Sequence, residues 1–410
     1  MLNIFDILYY ILIYFTLFVS IFWFIIFFEK KDKIHENPKT PKNLPEITIL
    51  IPAYNEEKNL PSAINSVLNQ NYPKEKIKII IIDDASTDKT YEVAKKFANK
   101  YKNIKVLRHK ENKRKAAALN TGLKHVNSEL IGFLDADSVL EKNSLINMIG
   151  YFNDSKMAGV IPVIKPKKSL TFSQKLQKVE YTFTALVRKL LTFLDSLYVT
   201  PAFALYKTKI IKKVGGWDEE NLTEDLEIGL RLKSNGYKIE TCMNAEVKTS
   251  TPLKFKDMWS QRIRWYRGFI HNSRKYKHIF FNPKFKDLGL LVLPYQYIAI
   301  ILTIPIILYG FYLTVRDFWT SFFKFYFIGF DLPYFLTHSF NFSGILNLNT
   351  SLFIVTVILL ILLIKFGSNE IKENIGKIEY LIYIPLYPFI NIIIWIFAIF
   401  YEITKREYKW

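Results

Sequence analysis

Apolar and polar positions along this chain fall into three textures. The first is the long uncharged run. Residues 7–28 hold 22 positions without a charge. At about 1.5 Å per residue, a helix of that length spans roughly 33 Å, the hydrocarbon core of a bilayer. Residues 288–315 form a second run, interrupted by Pro294 and Pro305; residues 345–364 form a third; residues 380–401 form a fourth, with Pro385 and Pro388. A buried core helix is the alternative for each. Their length and lack of charge point instead to membrane spans, where helices tolerate proline. Residues 318–340 are aromatic-rich but carry Lys324 and Asp331. They read as interfacial or re-entrant.

The second texture is a set of short apolar runs separated by amphipathic stretches. Residues 47–51, 77–82, 104–107 and 130–134 read as strands, and 60–69 and 88–101 as helices. This alternation predicts an α/β domain with a mostly parallel sheet covered on both faces. Ligands of such sheets bind beyond the carboxyl ends of the strands. Acidic residues follow the first, second and fourth strands closely.

The third texture is an amphipathic stripe. Phe172, Leu176, Val179, Phe183, Val187, Leu190 and Leu194 recur at spacings of three and four, while Lys175, Lys178, Arg188 and Lys189 fall elsewhere on the helix. A helix over 170–194 lying in the membrane interface fits this pattern, and a helix packed on the globular core is the alternative. Residues 253–269 are similar.

These textures divide the chain into an anchor over 1–29, a linker over 30–45 with three prolines, a globular domain over 46–250, an interfacial helix region over 251–286 and a membrane bundle over 287–410 with about three spans. The first run lacks a basic leader and a small-residue cleavage site, so it reads as a retained anchor. No internal repeat occurs.

The net charge of +19 suits a domain beside an anionic leaflet. No nucleic-acid motif accompanies it, and nucleic acid is not an expected partner. The lone Cys242 excludes an intramolecular disulfide and fits a cytosolic domain. Lys30, Lys31 and Lys33 after the first run place the domain in the cytoplasm. With four spans the tail bearing Lys405, Arg406 and Lys409 would then lie outside, against the positive-inside tendency.

Candidate chemistry sits at the strand ends. Pro52-Ala53-Tyr54-Asn55-Glu56-Glu57 follows the first strand and Asp83-Asp84-Ala85-Ser86-Thr87-Asp88 the second. Their carboxylates can accept hydrogen bonds from a base or ribose. Asp84 reads as a ligand contact and Asp88 as a helix cap. Asp135-Ala136-Asp137 follows the fourth strand, and two carboxylates there suit Mg²⁺ or Mn²⁺ completed by phosphate oxygens and water. Thr223-Glu224-Asp225 opens a helix, where the threonine reads as an N-cap and a carboxylate can serve as a general base. Gln261, Arg264 and Trp265 share one helical face. Arg264 can fork onto a diphosphate and Trp265 can stack on a sugar. Taken alone, that string favours an ordinary interfacial helix, where arginine and tryptophan are common.

Together these strings, with Lys115-Ala116-Ala117-Ala118-Leu119-Asn120, resemble the membrane-integrated family 2 glycosyltransferases of GT-A fold. That branch holds cellulose, chitin, hyaluronan and poly-N-acetylglucosamine synthases and ceramide glucosyltransferases. The resemblance covers about residues 45–270. It implies that Ala53, Tyr54 and Glu56 line the nucleoside pocket, that Asp84 binds the base, and that Lys115 approaches the nucleotide. Asp135 would contact ribose or metal and Asp137 the metal. Asp225 would be the base, supported by Glu224. Gln261, Arg264 and Trp265 would hold the diphosphate and the acceptor end. The chain departs from the family at Arg114, where a glycine usually precedes the lysine.

The implied reaction is one displacement, with inversion, from a nucleotide sugar such as a UDP-sugar. The acceptor is a growing polysaccharide, with a polyprenyl phosphate or glycolipid as the alternative. An oligomer or partner subunit would supply a polymer path that a narrow bundle lacks. A third reading, an inactive membrane scaffold, is opposed by the intact carboxylates of all three acidic motifs.

Overall fold

The computed structural model describes residues 4–327, 329 and 348–406. Most of the aromatic stretch beyond Phe327, and Lys409, lie outside the described residues.

An eight-stranded sheet forms the centre. In chain order the strands are β1 (Ile47–Ala53), β2 (Ile77–Asp83), β3 (Ile104–Arg108), β4 (Leu130–Leu134), β5 (Ser138–Leu140), β6 (Met157–Pro166), β7 (Phe203–Lys207) and β8 (Lys238–Thr249). Their spatial order is β3-β2-β1-β4-β7-β6-β8-β5. The first four pair in parallel, as the alternation predicts. Beyond β4 the sheet is mixed: β7 pairs antiparallel with β4 and β6, β6 runs parallel to β8, and β5 is antiparallel to β8. The chain reverses direction across the sheet between β1 and β4, which is where an open α/β sheet leaves a crevice. β1 and β4 are almost wholly buried, so their apolar runs are nearly continuous.

Helices α2 (Leu60–Leu68), α3 (Thr90–Lys100), α4 (Arg114–Leu123), α5 (Ser144–Met148), α6 (Phe172–Phe193), α7 (Thr208–Lys213), α8 (Glu224–Ser234) and α9 (Phe255–Lys275) surround the sheet. One apolar core lies on each face.

The helix α6 is enclosed more fully than its stripe predicts. Leu176 and Val179 pack in one cluster with Met258 and Ile263 of α9, and Ala185, Leu186 and Leu190 in another with Val163 of β6. Its polar positions Gln174, Gln177, Thr182 and Lys189 are also buried, with Lys189 Nζ donating to Thr241 O at 3.2 Å. The helix is a layer between the sheet and the long apolar helices, and its basic residues do not all face outward.

Four helices are long and apolar enough to cross a membrane: α1 (Ile4–Lys30), α10 (Leu293–Phe327), α11 (Leu348–Glu370) and α12 (Lys377–Ile403). The helix α10 continues through 318–327, so that part of the aromatic stretch extends the helix. Phe27 of α1 stacks on Phe366 of α11 at 4.8 Å, and His35 pairs with Glu370 at 2.9 Å. The last helix behaves differently. It runs along α9: Arg262 donates to Tyr387 Oη, Tyr266 donates to Asn391 and stacks on Trp395 at 4.2 Å, and Arg267 pairs with Glu402 at 2.8 Å.

Candidate active site

A cavity of about 910 Å³ opens beyond the carboxyl ends of β1, β2 and β4. All twelve candidate residues named above line it: Ala53, Tyr54, Glu56, Asp84, Lys115, Asp135, Asp137, Glu224, Asp225, Gln261, Arg264 and Trp265.

The end of the cavity beside β1 and β2 is built by tying two loops together. Asn55 N donates to Ser86 Oγ at 3.0 Å, Glu56 N to Thr90 Oγ1 at 2.7 Å, and Glu57 N to Asp88 Oδ2 at 3.2 Å. Asp88 Oδ1 also accepts from Thr90 N at 2.9 Å, so this carboxylate serves the turn rather than a ligand. Asp84 Oδ1 accepts from Lys113 N at 2.8 Å and lies 2.7 Å from His109 Nδ1. His109 Nε2 in turn meets Thr121 Oγ1 at 2.9 Å, which fixes the ring.

Several of these turns have left-handed backbones. Asn55 (φ 55°), Ala85 (60°), Arg114 (72°) and Ala202 (60°) all lie in the loops around the cavity. Strain of this kind costs on the order of 1 kcal/mol per residue and concentrates at functional sites. Arg114 shows why the resembling family uses glycine there: a residue without Cβ adopts this φ freely.

Lys115 binds two carboxylates at once. Its Nζ lies 2.5 Å from Asp135 Oδ1 and 3.0 Å from Glu224 Oε1, above the Phe133 ring. Burial pulls its pKa down, but Asp135, Glu224 and Asp225 more than offset this and hold it above the usual lysine range. Burial pushes Glu224 up, but Lys115 and Arg264 bring it below the usual range. Asp225 moves the other way: burial and the Glu224 charge push it up to about 6, against the pull of Lys115 and Arg264. A base with that pKa is ionised at neutral pH and retains good proton affinity.

The Thr223-Glu224-Asp225 turn meets α9 at close range. Thr223 does not cap α8 with its side chain, contrary to the N-cap expectation. Instead Asn272 Nδ2 donates to Thr223 Oγ1 at 3.0 Å, and Asn221 Oδ1 accepts from Thr223 N at 3.0 Å. Gly268 makes this possible, since a Cβ there would lie 2.3 Å from Thr223 Oγ1. Asp225 O accepts from Thr200 N and Oγ1, at 3.3 and 2.9 Å. Arg264 Nη1 donates to Leu222 O at 2.9 Å, which aims its fork at the same turn.

Seven carboxylates and four cations line the cavity. Asp137 Oδ1 accepts from Ser138 Oγ at 3.0 Å and Thr249 Oγ1 at 3.3 Å. Burial raises the pKa of both Asp135 and Asp137; the Asp137 charge adds to the first effect and the Glu56 charge to the second. The excess of negative charge suits a hard divalent cation. Among the described residues no cluster of three or more His, Cys, Asp or Glu side chains forms a metal site, so the chain offers the Asp135–Asp137 pair. Two carboxylates leave room for phosphate oxygens and water, which fits Mg²⁺ or Mn²⁺.

Sequence reasoning missed four side chains of this site. Glu180, Tyr181, Thr184 and Arg188 of α6 line the cavity. Their i, i+1, i+4, i+8 spacing marks one helical face, but the pattern reads equally well as a solvated flank. Arg262 was missed too. It is wholly buried beneath the motif, pairs with Glu180, donates to Gln261 Oε1 at 2.7 Å and lies over the Trp265 ring at 4.0 Å. It therefore orients two of the expected acceptor-side residues.

Comparisons with known proteins agree with this geometry. The sequence profile of Glycosyl transferase family 2 matches residues 48–215. The poly-beta-1,6-N-acetyl-D-glucosamine synthase of Staphylococcus aureus (strain COL) is 30% identical over 309 residues, covering 72% of this chain and 73% of that protein. The synthase of the same name from Staphylococcus epidermidis is 28% identical over 411 residues, covering 97% and 94%. The probable glycosyltransferase YdaM of Bacillus subtilis (strain 168) is 33% identical over 253 residues, so the match spans 60% of each chain. Among solved structures, the mannosyltransferase PcManGT from Pyrobaculum calidifontis, in complex with GDP-Man and Mn²⁺, superposes with a TM-score of 0.60 at 17% identity, covering 98% of this chain and all of that one. That likeness shows a shared GT-A fold. A parallel half-sheet with acidic loops at its carboxyl ends and these sequence matches converge: the chain belongs to glycosyl transferase family 2 and is a glycosyltransferase.

Proposed function

We propose that this protein is a membrane enzyme that transfers a sugar, with inversion, from a UDP-sugar to the end of a growing polysaccharide. One observation carries the reading: a single chamber holds the nucleotide loops, the carboxylate pair, Asp225 and the α9 string together. Relatives named as poly-beta-1,6-N-acetyl-D-glucosamine synthases match nearly the full chain, which favours a polymer acceptor.

Asp225 takes the proton of the acceptor hydroxyl. The oxygen then bonds to the anomeric carbon on the face opposite the nucleotide, and the bond from that carbon to the diphosphate oxygen breaks. Arg264 meets the charge on the departing nucleoside diphosphate. Lys115 keeps Glu224 ionised, so of this adjacent pair Asp225 is the one with a raised pKa for proton uptake. Asp84 anchors the base, Tyr54 and Glu56 border the nucleoside, and Gln261 and Trp265 hold the acceptor end. A divalent ion held by Asp137 and Asp135 would neutralise diphosphate charge.

The catalytic domain lies on the cytoplasmic side, in keeping with Lys30, Lys31 and Lys33 after α1. α1, α10 and α11 cross the bilayer, whereas α12 lies along α9 at the catalytic side.

So small a set of crossings also favours single transfer to a lipid acceptor. The test is transfer by purified enzyme from UDP-N-acetylglucosamine, followed by sizing of the product. A ladder of polymer is expected, and lipid carrying one sugar would overturn the polymer reading. Asp225→Asn and Asp137→Ala should each lower transfer by at least about 100-fold, on the scale of losing a general base or a leaving-group contact. Full activity in either variant would refute the assigned mechanism.

A further inference from the structure

Of the cations lining the chamber, Arg188 has the least satisfied environment. Lys115 spans Asp135 and Glu224, and Arg264 holds Leu222 O. Arg188 reaches the chamber with part of its side chain, but its Nη1 is sealed from solvent and has no hydrogen-bond partner. Glu180, whose charge acts on Arg188, is paired with Arg262 from α9. Burial pulls the Arg188 pKa down, with Tyr181, Glu180 and Asp225 opposing. Guanidinium nonetheless stays charged in proteins, so the cost of an unpaired buried donor is borne until a partner arrives.

The place of Arg188 narrows what that partner is. It stands on the α6 face with Tyr181 and Thr184, in the field of Asp225. Asp225 must touch the acceptor hydroxyl, so Arg188 belongs to the acceptor half. Glu180 and Asp225, which line the same chamber and whose charges reach Arg188, repel a phosphate or carboxylate. A neutral pyranose suits them: its ring can stack on Tyr181 or Trp265, and its oxygens can accept from a guanidinium. We infer that Arg188 is an acceptor-binding residue that donates hydrogen bonds to oxygens of the terminal neutral sugar beside the nucleophilic hydroxyl. This rests on the polymer reading above and adds the residue that recognises the chain end.

The test uses the full-length enzyme in nanodiscs with UDP-N-acetylglucosamine and a β-1,6-linked N-acetylglucosamine pentamer. Arg188→Gln is expected to raise the pentamer KM about tenfold or more, since a charged hydrogen bond is lost. Donor Kd and the thermal midpoint should stay near wild type. An unchanged pentamer KM, or an equal loss of donor affinity, would overturn the assignment. Should Arg188→Gln not fold, Arg188→Lys carries the test: it keeps the charge but lacks the fork, and a wild-type pentamer KM in that variant overturns the proposal. Failure of the underlying reading looks different. Wild-type enzyme would then glycosylate a polyprenyl phosphate and leave the pentamer untouched, which overturns both readings, whereas failure of Arg188 alone leaves wild-type extension of the pentamer intact.

Discussion

At the scale of single residues, the chamber divides labour between two adjacent carboxylates. Glu224 and Asp225 are neighbours in sequence, the first buried and the second half-buried, yet their pKa values move apart. Lys115 is the cause, because its ammonium pairs with Glu224 at 3.0 Å. Asp225 must be ionised to act as a base. The acidic limb of kcat/KM should therefore show an apparent pKa near 6, with activity falling as pH drops through that value. Lys115 lowers the Asp225 pKa, so Lys115→Met should move this limb upward, besides reducing the rate. A pH–rate series on both proteins checks this, and an unmoved limb would remove Lys115 from the account. The acidic motifs were legible in the sequence because strand ends in a parallel sheet place their next residues at the ligand. Lys115 was legible as a motif member, but its pairing with Asp135 and Glu224 was not. Those partners lie 20 and 109 positions away, and no local pattern encodes the contact. The roles of the half-buried Arg188 and the wholly buried Arg262 were invisible for a related reason. An arginine on a helix reads as solvated until something packs over it.

At the scale of elements, the proposed base is positioned by how α9 docks against the turn before α8. The α9 backbone approaches Thr223 across Gly268, with Asn272 bridging to Asn221 and Thr223. On an exposed helix, Gly→Ala stabilises by about 1 kcal/mol. Here the added carbon would lie 2.3 Å from Thr223 Oγ1 and 2.5 Å from Cγ2, so the helix or the turn must shift. Gly268→Ala should lower kcat at least about tenfold, because a displacement of under 1 Å at a base is costly. Trimming the obstacle with Thr223→Ala should restore part of that loss. Strictly additive effects in the double variant would show that the contact does not couple. β1, β2 and β4 and most of α6 and α9 were visible as periodicity, with ends shifted by a few residues. The antiparallel half of the sheet was not. Pro162 and Pro166 interrupt β6, and β8 alternates buried with half-exposed residues, so neither gives the continuous apolar run that marked β1 and β4. The backbone at Arg114 was hinted at only by the family's glycine, and φ 72° supplies the reason.

At the scale of the whole molecule, the fourth apolar run changes meaning. Its length and composition are those of a span, and sequence contains nothing more. Contacts give it a direction. The catalytic end of α11 is its C-terminus, where Phe366 meets Phe27 and Glu370 meets His35. The catalytic end of α10 is its N-terminus, where Leu293 joins the sheet core and Tyr297 meets Phe280. The last helix begins near the first of these ends, with Tyr383 in one cluster with Ile364. It finishes near the second: Trp395 and Tyr297 both pack on Phe269 of α9, at 5.9 and 5.5 Å. A spanning α12 would instead bring Trp395 toward the far end of α10. Its outward residues Leu381, Phe389, Phe397 and Phe400 are exposed and apolar, as a helix lying in the lipid surface requires. Three crossings would put Lys405 and Arg406 on the catalytic side, and the conflict with the positive-inside tendency would disappear. Cysteine labelling decides the matter. Cys242 is buried and its thiol is pushed up to about 11, so it should stay silent toward maleimides. In intact cells, a membrane-impermeant maleimide should fail to reach Ile378→Cys, Lys405→Cys and Lys89→Cys alike. In inverted vesicles it should label all three. Labelling of Lys405→Cys from outside the cell would restore α12 as a fourth span.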